Sequence, residues 1–593
     1  MCGISGELRF DQQEADIAGV AAMSRSQHRR GKDGEGLMSF GKVTFGHRRL
    51  KIFDLSDKAQ QPMVDPSLGL AITFNGAIYN YRELRQQLYA KGYTFFSDSD
   101  TEVLLKAYHC WKLSMLEKIQ GIFAFAIWER DSGKLILVRD RMGVKPLYYV
   151  KSPSFFRFAS TLPALLDSSA GKSINDEALQ CYFTFHIIPE PQTLVKDIYK
   201  LEPGTVMTVT EDGAIQKKQY WQLRFYGEKE NETLTEGEWI ERLEDTLMHA
   251  VKSRTVADVP VGVLLSGGLD SSLLVALLAN ITNRPPLTFS IGFESTADEQ
   301  GDEFYYSDII AKHFSTEHTK IVIKTPQLHE SLMECIASMS EPMVSHDAIA
   351  FYLLSKEVKK HVTVVQTGQG ADELFAGYHW FQGMNYNTVF PRLAAENLYE
   401  RIADNNYHDY FAMMEPEHRT RNIALDSMET LCKKNGSSHM IDLMQQYEST
   451  YALSNGPLAR VDNMTMAWGL EAREPFLDPD LARLACRMPA SLKLQREGKY
   501  VLKELGSKLL PREVVERPKG YFPVPKLKNP GKEEVNWLRD VLSPQHIKQE
   551  GIFNPSYVET LLDNPSDYVT PLGTSKLWQL GVLECWMQTH NIH

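Results

Sequence analysis

Val259-Pro260-Val261-Gly262-Val263-Leu264-Leu265, followed by Ser266-Gly267-Gly268-Leu269-Asp270-Ser271-Ser272, decides the fold of the second half of the chain. The first seven residues are apolar enough to predict a buried strand. Residues Leu273–Asn280 predict a helix after the loop. The glycines let backbone N–H groups approach an anion, and the N-terminus of a helix adds a positive dipole. This strand, loop and helix therefore predict a cradle for phosphate oxygens; the alternative is an ordinary Gly-Gly turn.

Strands and helices alternate around this loop. Leu287–Gly292 and Val362–Thr367 predict strands, and Tyr305–Phe314 and Ala348–Lys360 predict helices. Alternation of this kind predicts an α/β domain with a parallel sheet and ligands at the carboxyl ends of its strands. From Met384 onward the pattern is mainly helical.

A second acidic loop, Thr367–Glu373, follows another predicted strand. Gly368 and Gly370 permit close approach of the backbone to a nucleotide. Asp372 is a natural second carboxylate, beside Asp270, for a metal ion. Alternatively, the acidic residues only favour the dipole at the start of a helix, although that does not explain the glycines.

The N-terminal segment Met1–Gly6 places a cysteine at position 2. Removal of Met1 would leave one residue with both a thiol nucleophile and an α-amino group that titrates near pH ~8. Cys2 would then carry its own base. The alternative is an incidental cysteine at a frayed terminus.

The rest of the first half predicts short strands with a few helices. Leu70–Phe74 predicts a strand that runs into an Asn75-Gly76 turn, and residues 121–139 predict a β-hairpin. Helices are predicted at Arg82–Lys91 and Thr101–Trp111. A polar stretch from Tyr226 to Glu238 predicts an interdomain linker.

Composition excludes several classes of function. A chain of 593 residues is too long for a single hydrophobic core, so two or more domains are expected. With 64 basic and 76 acidic side chains the net charge is −12, which argues against nucleic acid as a partner. The seven cysteines are scattered without metal-ligand spacing, and no apolar run reaches the ~18 residues of a membrane span. We therefore expect a cytoplasmic protein without a membrane segment.

Together these segments resemble the asparagine synthetase family of glutamine-dependent amidotransferases. The resemblance implies an α/β fold with an N-terminal Ntn-hydrolase (αββα) glutaminase domain over residues 1–215 and a linker over residues 216–238. It also implies an ATP-pyrophosphatase-like parallel α/β domain with a helical extension over residues 239–593. The matching segments are Met1–Gly6, His47–Leu50, Phe74–Asn80, Ser99–Glu102, Arg139–Tyr149, Val259–Ser272, Phe289–Gly292, Thr367–Tyr378, Arg460–Asp478 and Arg517–Pro523.

The resemblance implies roles for the first domain. Cys2 attacks the side-chain amide of glutamine, and Asn75 with the Gly76 N–H forms the oxyanion hole. Arg49 clamps the α-carboxylate of glutamine, and Asp100 pairs with its α-ammonium.

In the second domain the resemblance implies cleavage of ATP to AMP and pyrophosphate, formation of an acyl-adenylate on a small carboxylate acceptor, and its attack by ammonia. Asp270 and Asp372 would hold Mg²⁺, and Lys519 falls on the catalytic lysine of the family. A homodimer is one expected assembly. The implied ATP-binding residues are Leu265, Ser266, Gly267, Gly268, Asp270, Ser271, Ser272, Ile291, Thr367 and Gly368.

Two positions depart from the family pattern. Ala77 replaces a glutamate of the glutamine pocket, and Gln369 replaces the catalytic glutamate of the second ATP loop. A neutral amide cannot act as a general base, so Glu373 or Glu471 becomes a candidate to accept the proton of ammonia.

Three variant segments, Ser340–Asp347, Thr367–Gly370 and Gly377–Trp380, resemble the subgroup that amidates N-acetylglutaminylglutamine, an osmoprotectant precursor. The hypotheses are therefore amidation of that dipeptide and, as the rival, asparagine synthesis. A regulatory C-terminal half and a tRNA-modifying enzyme are less consistent with the intact loop and the acidic charge.

Overall fold

Three β-sheets organise the part of the chain that the structure describes. The structure, a computed structural model, describes residues 2–168, 172–225, 234–294, 301–388, 390–518, 520, 532–565, 567–571 and 573–593. Two six-stranded antiparallel sheets lie in the first domain, and one five-stranded parallel sheet lies in the second. The parallel sheet and its helices confirm the α/β class predicted from the alternating pattern.

The first domain is a four-layer arrangement. Its sheets have the strand orders β10-β8-β9-β1-β3-β2 and β12-β11-β7-β6-β5-β4, and apolar side chains from both form one buried core between them. Helix α1 packs on the first sheet and α3 on the second, which gives the predicted αββα layers. The elements are β1 (Gly3–Arg9), α1 (Ile17–Ser26), β2 (Gly34–Phe40), β3 (Val43–Arg49), β4 (Met63–Asp65), β5 (Leu70–Ile78), α2 (Tyr81–Tyr89), α3 (Asp100–Trp111), β6 (Gly121–Glu129), β7 (Lys134–Arg139), β8 (Tyr148–Lys151), β9 (Phe155–Ala159), α4 (Asp176–Phe185), β10 (Ile198–Lys200), β11 (Thr205–Thr210) and β12 (Ile215–Gln219).

The predicted turn at Asn75-Gly76 is wrong. Strand β5 continues through both residues to Ile78, with Asn75 opposite Ala124 and Gly76 opposite Phe123 of β6. Gly76 has φ +154°, and a Cβ there would lie 2.1 Å from the carbonyl oxygen of Ile122. The glycine serves a close approach between strands rather than a turn, because pairing with β6 outweighs the local turn preference.

The expected domain boundary at residue 215 falls at the start of β12. Lys217 and Gln219 pair with Met207 and Thr205, so the second sheet extends four residues into the predicted linker. Helix α5 (Glu236–Ser253) begins before residue 239, where Thr235 and Glu238 form a reciprocal capping box. Residues 226–233 lie outside the described residues.

The second domain places two loops side by side. Its sheet has the order β15-β14-β13-β16-β17, all parallel, so the loops after β13 and β16 leave adjacent strands at the same edge. The strands are β13 (Val261–Leu264), β14 (Leu287–Phe293), β15 (Glu317–Ile323), β16 (Val364–Gln366) and β17 (Glu471–Arg473). This edge is where ligands of open α/β sheets bind.

Helices surround the sheet and form the predicted C-terminal extension. Within the described residues, none of them is both apolar enough and long enough to cross a bilayer. They are α5, α6 (Leu269–Ile281), α7 (Phe304–His313), α8 (Thr325–Ala337), α9 (Asp347–Val358), α10 (Ala371–Leu374), α11 (Pro391–Ile402), α12 (Tyr407–Met413), α13 (Ile423–Asn435), α14 (Met440–Tyr447), α15 (Leu453–Asn455), α16 (Pro457–Met466), α17 (Pro479–Arg487), α18 (Ser491–Leu494), α19 (Tyr500–Leu509), α20 (Arg512–Val515), α21 (Lys532–Val541), α22 (Pro544–Glu550), α23 (Pro555–Asp563) and α24 (Lys576–His590).

Candidate active sites

Cys2 lies at the head of β1, inside the first domain. Its backbone N–H donates to Oδ1 of Asn75 at 2.9 Å, and its carbonyl accepts from Nε of Arg30 at 3.1 Å. The thiol borders a small cavity of about 30 Å³. The structure places three more predicted residues on the wall of that cavity: Arg49, Gly76 and Asp100.

Asn75 reaches Cys2 from strand β5 of the second sheet, across the domain core. The side chain is fully buried, and Nδ2 has no hydrogen-bond partner among the described residues. A buried amide donor without a partner is costly unless a ligand oxygen or water satisfies it. Because Oδ1 of the same amide accepts from the Cys2 N–H, this donor lies close to Cys2 and is a candidate to stabilise an oxyanion.

Arg49 and Asp100 put opposite charges on the same cavity. Backbone carbonyls orient the guanidinium of Arg49, with Nη1 2.8 Å from the Ser56 oxygen. Oδ2 of Asp100 accepts from the N–H of Ile78 at 3.0 Å. Burial raises the pKa of Asp100 to about 7. One cation and one anion in a small cavity match the two charges of a free amino acid.

Burial also controls the protonation of two other groups. It raises the pKa of the Cys2 thiol, while the charge of Arg49 acts in the opposite direction. Burial lowers the pKa of His47, whose Nε2 lies 3.2 Å from the Phe74 carbonyl oxygen, to about 3. His47 is therefore neutral at physiological pH, and the thiol needs a base to become the reactive thiolate.

A larger cavity of about 730 Å³ opens at the edge of the parallel sheet. The loops after β13 and β16 form its floor, and Gly368 lies so near the first loop that a Cβ there would be 3.0 Å from Cβ of Asp270. The structure brings ten predicted residues to the wall of this cavity: Leu265, Ser266, Gly268, Asp270, Ser271, Ile291, Thr367, Gly368, Gln369 and Asp372.

Two predicted residues of the first loop shape it rather than line the cavity. Gly267 has φ +73°, and a Cβ there would lie 2.6 Å from the backbone nitrogen of Ser307. Ser272 is fully buried in the first turn of α6, where its N–H donates to the Gly268 oxygen at 3.1 Å. Gly267 allows α7 to approach, and Ser272 lies behind the loop in the first turn of α6.

Lys499 is a site residue that no local pattern in the sequence marks. Its Nζ lies 2.6 Å from Oδ2 of Asp270 and 2.9 Å from Oδ1 of Asp372. Burial alone lowers the pKa of this lysine, but the two carboxylates outweigh burial and raise it above its ordinary value. The tertiary fold, not the neighbouring sequence, brings this cation between the two aspartates.

The arrangement around Lys499 also tests the predicted magnesium site. Asp270 and Asp372 come from different loops and yet direct oxygens at one cationic atom. Carboxylate oxygens are the ligands that Mg²⁺ prefers, and the ammonium group occupies the shared position as a stand-in cation. The two aspartates therefore fit a Mg²⁺ ion.

Gln369 and the two glutamates considered as proton acceptors in its place have different surroundings. Gln369 faces the cavity. Glu373 is buried and accepts from the Tyr378 hydroxyl at 2.7 Å. Glu471 is fully buried and lies 2.6 Å from Nε of Arg473. Predicted Lys519 lies outside the described residues, although Arg517 on its N-terminal side lines the cavity.

Strand β17 connects the two sites. The Arg473 carbonyl accepts from the N–H of Thr367 at 3.0 Å, at the start of the second acidic loop. The guanidinium of Arg473 lies 5.7 Å from the ring centre of Phe53, which lines the Cys2 cavity. Arg473, on one buried strand, thus contacts residues in the walls of both cavities.

Comparison with known proteins agrees with this architecture. The family model for asparagine synthase matches residues 242–588, and that for the glutamine amidotransferase domain matches residues 1–221. Asparagine synthetase [glutamine-hydrolyzing] 1 of Bacillus subtilis (strain 168) is 32% identical, covering 99% of this chain and 96% of that protein. Asparagine synthetase B of Escherichia coli (strain K12) is 26% identical, covering 88% of this chain and 82% of that protein. The chain belongs to the asparagine synthase family and is a glutamine amidotransferase of the asparagine synthetase type.

Proposed function

We propose that the chain moves the amide nitrogen of glutamine to an ATP-activated carboxylate larger than aspartate, with a blocked dipeptide such as N-acetylglutaminylglutamine as the acceptor. The single observation that carries the choice of acceptor is the neutral Gln369 on the wall of the 730 Å³ cavity. Glutamine, ATP, the carboxylate and water yield glutamate, AMP, pyrophosphate and the new amide.

In the first cavity, the Cys2 thiolate attacks the glutamine side-chain amide and expels ammonia, and water then cleaves the thioester to glutamate. Arg49 binds the α-carboxylate of glutamine, and Asp100 binds its α-ammonium. The Nδ2 donor of Asn75 and the Gly76 N–H stabilise the oxyanion. Once Met1 is removed, the Cys2 nitrogen is an α-amine that takes the thiol proton and passes it to the leaving ammonia.

In the second cavity, the loop Ser266–Ser271 offers N–H groups and hydroxyls to the phosphates of ATP. The acceptor carboxylate attacks the α-phosphorus, pyrophosphate leaves, and ammonia then displaces AMP from the acyl group. Asp270 and Asp372 would hold Mg²⁺, which would supply positive charge at the phosphates. Lys499 pairs with the two carboxylates before the ion binds, and Lys519 is proposed to neutralise charge on the phosphate.

Gln369 separates this acceptor site from one built for aspartate. An amide neither pairs with an α-ammonium as a carboxylate does nor takes a proton from ammonia. It is suited instead to hydrogen bonds with neutral amide groups, which a blocked glutaminyl dipeptide carries. The proton of the incoming ammonia then needs another acceptor, and the buried carboxylates Glu373 and Glu471 are the two candidates.

A neighbouring cavity of about 190 Å³ provides room for a longer acceptor. The variant segment Ser340–Ser345 and residues 186–188 of the first domain line it, and Arg460 lines both cavities. Nε of Arg460 has no hydrogen-bond partner among the described residues, and its Nη2 is 3.7 Å from Asp347. A guanidinium with a free donor between two cavities is suited to hold a polar acceptor that extends into both.

Asparagine synthesis is the second candidate. Its support is the 32% identity to Asparagine synthetase 1 of Bacillus subtilis over nearly the whole of both chains. Gln369 is the observation against it.

An acceptor screen decides between them. Purified protein is given ATP, Mg²⁺ and glutamine, and AMP release is followed with aspartate, glutamate and N-acetylated dipeptides at matched concentrations. The proposal expects amide product from the dipeptide ending in glutamine and little from aspartate. AMP release with aspartate alone, together with asparagine in the products, would establish the rival.

A further inference from the structure

A histidine and two glutamates meet in the C-terminal helical extension, away from both cavities. His546 and Glu550 lie one turn apart on α22, and Glu584 faces them from α24. Nε2 of His546 is 2.6 Å from Oε1 of Glu584 and 3.4 Å from Oε1 of Glu550. Candidate ligand atoms of all three lie within 4.8 Å of one another.

The carboxylates of Glu550 and Glu584 are buried, and too few hydrogen-bond donors contact their oxygens. The Glu584 side chain is 0% exposed and that of Glu550 is 6% exposed. Oε2 of each is buried and makes no hydrogen bond with a donor group in the described part of the chain. Gln588 donates to Glu584, but only at Oε1, at 2.9 Å. Two buried like charges with unused oxygens need a cation or a shared proton.

The types of ligand atom indicate which cation would bind. One imidazole nitrogen and two carboxylate oxygens suit a divalent transition metal such as Zn²⁺ better than Mg²⁺, which prefers an all-oxygen shell. A dication with a neutral imidazole balances both carboxylates. The His546 side chain is 32% exposed, so an ion can reach the cluster from solvent.

We propose that His546, Glu550 and Glu584 form a structural site for a divalent transition metal such as Zn²⁺, which joins α22 to α24. The end of α24 leads to the link between domains, because His593 donates to the Lys172 oxygen at 2.8 Å and accepts from the N–H of Ile174 at 2.9 Å. A metal ion at this point braces the segment that attaches the C-terminus to the first domain.

Zinc titration of the full chain tests this site. The protein is stripped with a chelator, and Zn²⁺ binding is measured by calorimetry and thermal denaturation without ATP. We expect one Zn²⁺ per chain, a higher melting temperature with the ion, and affinity at least tenfold weaker in His546→Gln. His546 is partly exposed, so this variant should fold; Glu584→Gln should lose binding as well.

Two control variants separate this site from other zinc-binding groups. His418→Gln alters a similarly exposed histidine that pairs with one carboxylate, Asp176, at 2.6 Å. Asp372→Asn removes the carboxylate proposed for the ATP-site ion. Both should keep the zinc affinity of the unmodified protein, and X-ray absorption should report nitrogen and oxygen ligands without sulfur. Absence of stoichiometric binding, binding unaffected by His546→Gln, or sulfur ligands would each overturn the site in favour of a shared proton or adventitious zinc.

Discussion

Nη1 of Arg30 in the glutaminase domain lies 2.8 Å from Oδ2 of Asp462 in the synthetase domain, and both side chains are almost fully buried. The same guanidinium donates from Nε to the carbonyl of Cys2. Lys145 adds a second cation, with Nζ 3.4 Å from Oδ1 of Asp462. One carboxylate of the second domain thus fixes the backbone at Cys2, the proposed nucleophile of the first.

Replacing Asp462 with asparagine should therefore uncouple the two reactions. The change leaves two buried cations without their anion, which costs about 3–5 kcal/mol of stability. Glutamine-dependent amidation should fall more than amidation with ammonium salt, because the Cys2 backbone loses its anchor. Asp480→Asn, which breaks an exposed pair with Arg483, is the control. Equal loss with both nitrogen sources would contradict the coupling.

Cys2→Ala should abolish use of glutamine and spare use of ammonia. The variant lacks the nucleophile but leaves the second cavity intact, so glutamine hydrolysis should fall by roughly a thousandfold or more. Amide formation with high ammonium salt should persist. Cys110→Ala, at a partly exposed cysteine outside the cavity, should behave like the unmodified protein. Normal glutamine turnover by Cys2→Ala would show that the nucleophile is misassigned.

Prediction from sequence works best where neighbouring residues in the chain determine the local structure. The loop Ser266–Ser272 was predicted because glycine spacing after an apolar strand is a local property, and α6 begins earlier than predicted because Gly268 caps it. The Asn75-Gly76 turn was predicted on the same local basis and is wrong. At these two residues, pairing of β5 with β6 decides the conformation, and the local sequence does not reveal which strand pairs with β5.

Long-range charge pairs escaped prediction for the same reason. Lys499 is distant in sequence from Asp270 and Asp372, and Asp462 is distant from Arg30, so no window contains both partners. Fold alone determines these neighbours. The family resemblance identified segments around them but not the ion pairs that join the loops and the domains.

Glutamine binding should strengthen as pH rises toward neutrality. Burial raises the pKa of Asp100 to about 7, so below that pH the free enzyme carries a neutral acid that cannot pair with the α-ammonium. Above it, the carboxylate is available. The KM for glutamine hydrolysis should fall roughly tenfold per pH unit below the pKa and level off above it.

Asp100→Asn should give a high KM that no longer varies with pH in this range. Asp98→Asn, at an exposed neighbour that pairs with Arg85 at 3.2 Å, should retain the profile of the unmodified protein. The measurement is glutaminase activity alone, so the second cavity does not enter. A KM independent of pH in the unmodified protein would remove Asp100 from the ammonium site.

ATP should yield AMP and pyrophosphate, and the yield should depend on the two aspartates that flank Lys499. Asp270→Asn or Asp372→Asn should cost several kcal/mol of transition-state stabilisation, roughly a hundredfold or more in rate. Asp308→Asn, which breaks an exposed pair with Lys320, is the matched control. Nucleotide products are separated by chromatography; stoichiometric ADP would exclude the proposed chemistry.

Gln369→Glu should shift the enzyme away from the dipeptide. A carboxylate at this position adds a negative charge to the cavity that also holds Asp372, and it no longer donates hydrogen bonds to a neutral amide. Dipeptide amidation should fall about tenfold or more, equivalent to about 1.4 kcal/mol, and aspartate should become a better acceptor relative to it. Gln86→Glu adds the same charge at an exposed position of α2 and should change neither rate. Steady-state rates with both acceptors at matched concentrations measure the shift. If the unmodified enzyme instead makes asparagine efficiently and does not respond to the dipeptide, Gln369 is compatible with aspartate and the chain is an asparagine synthetase.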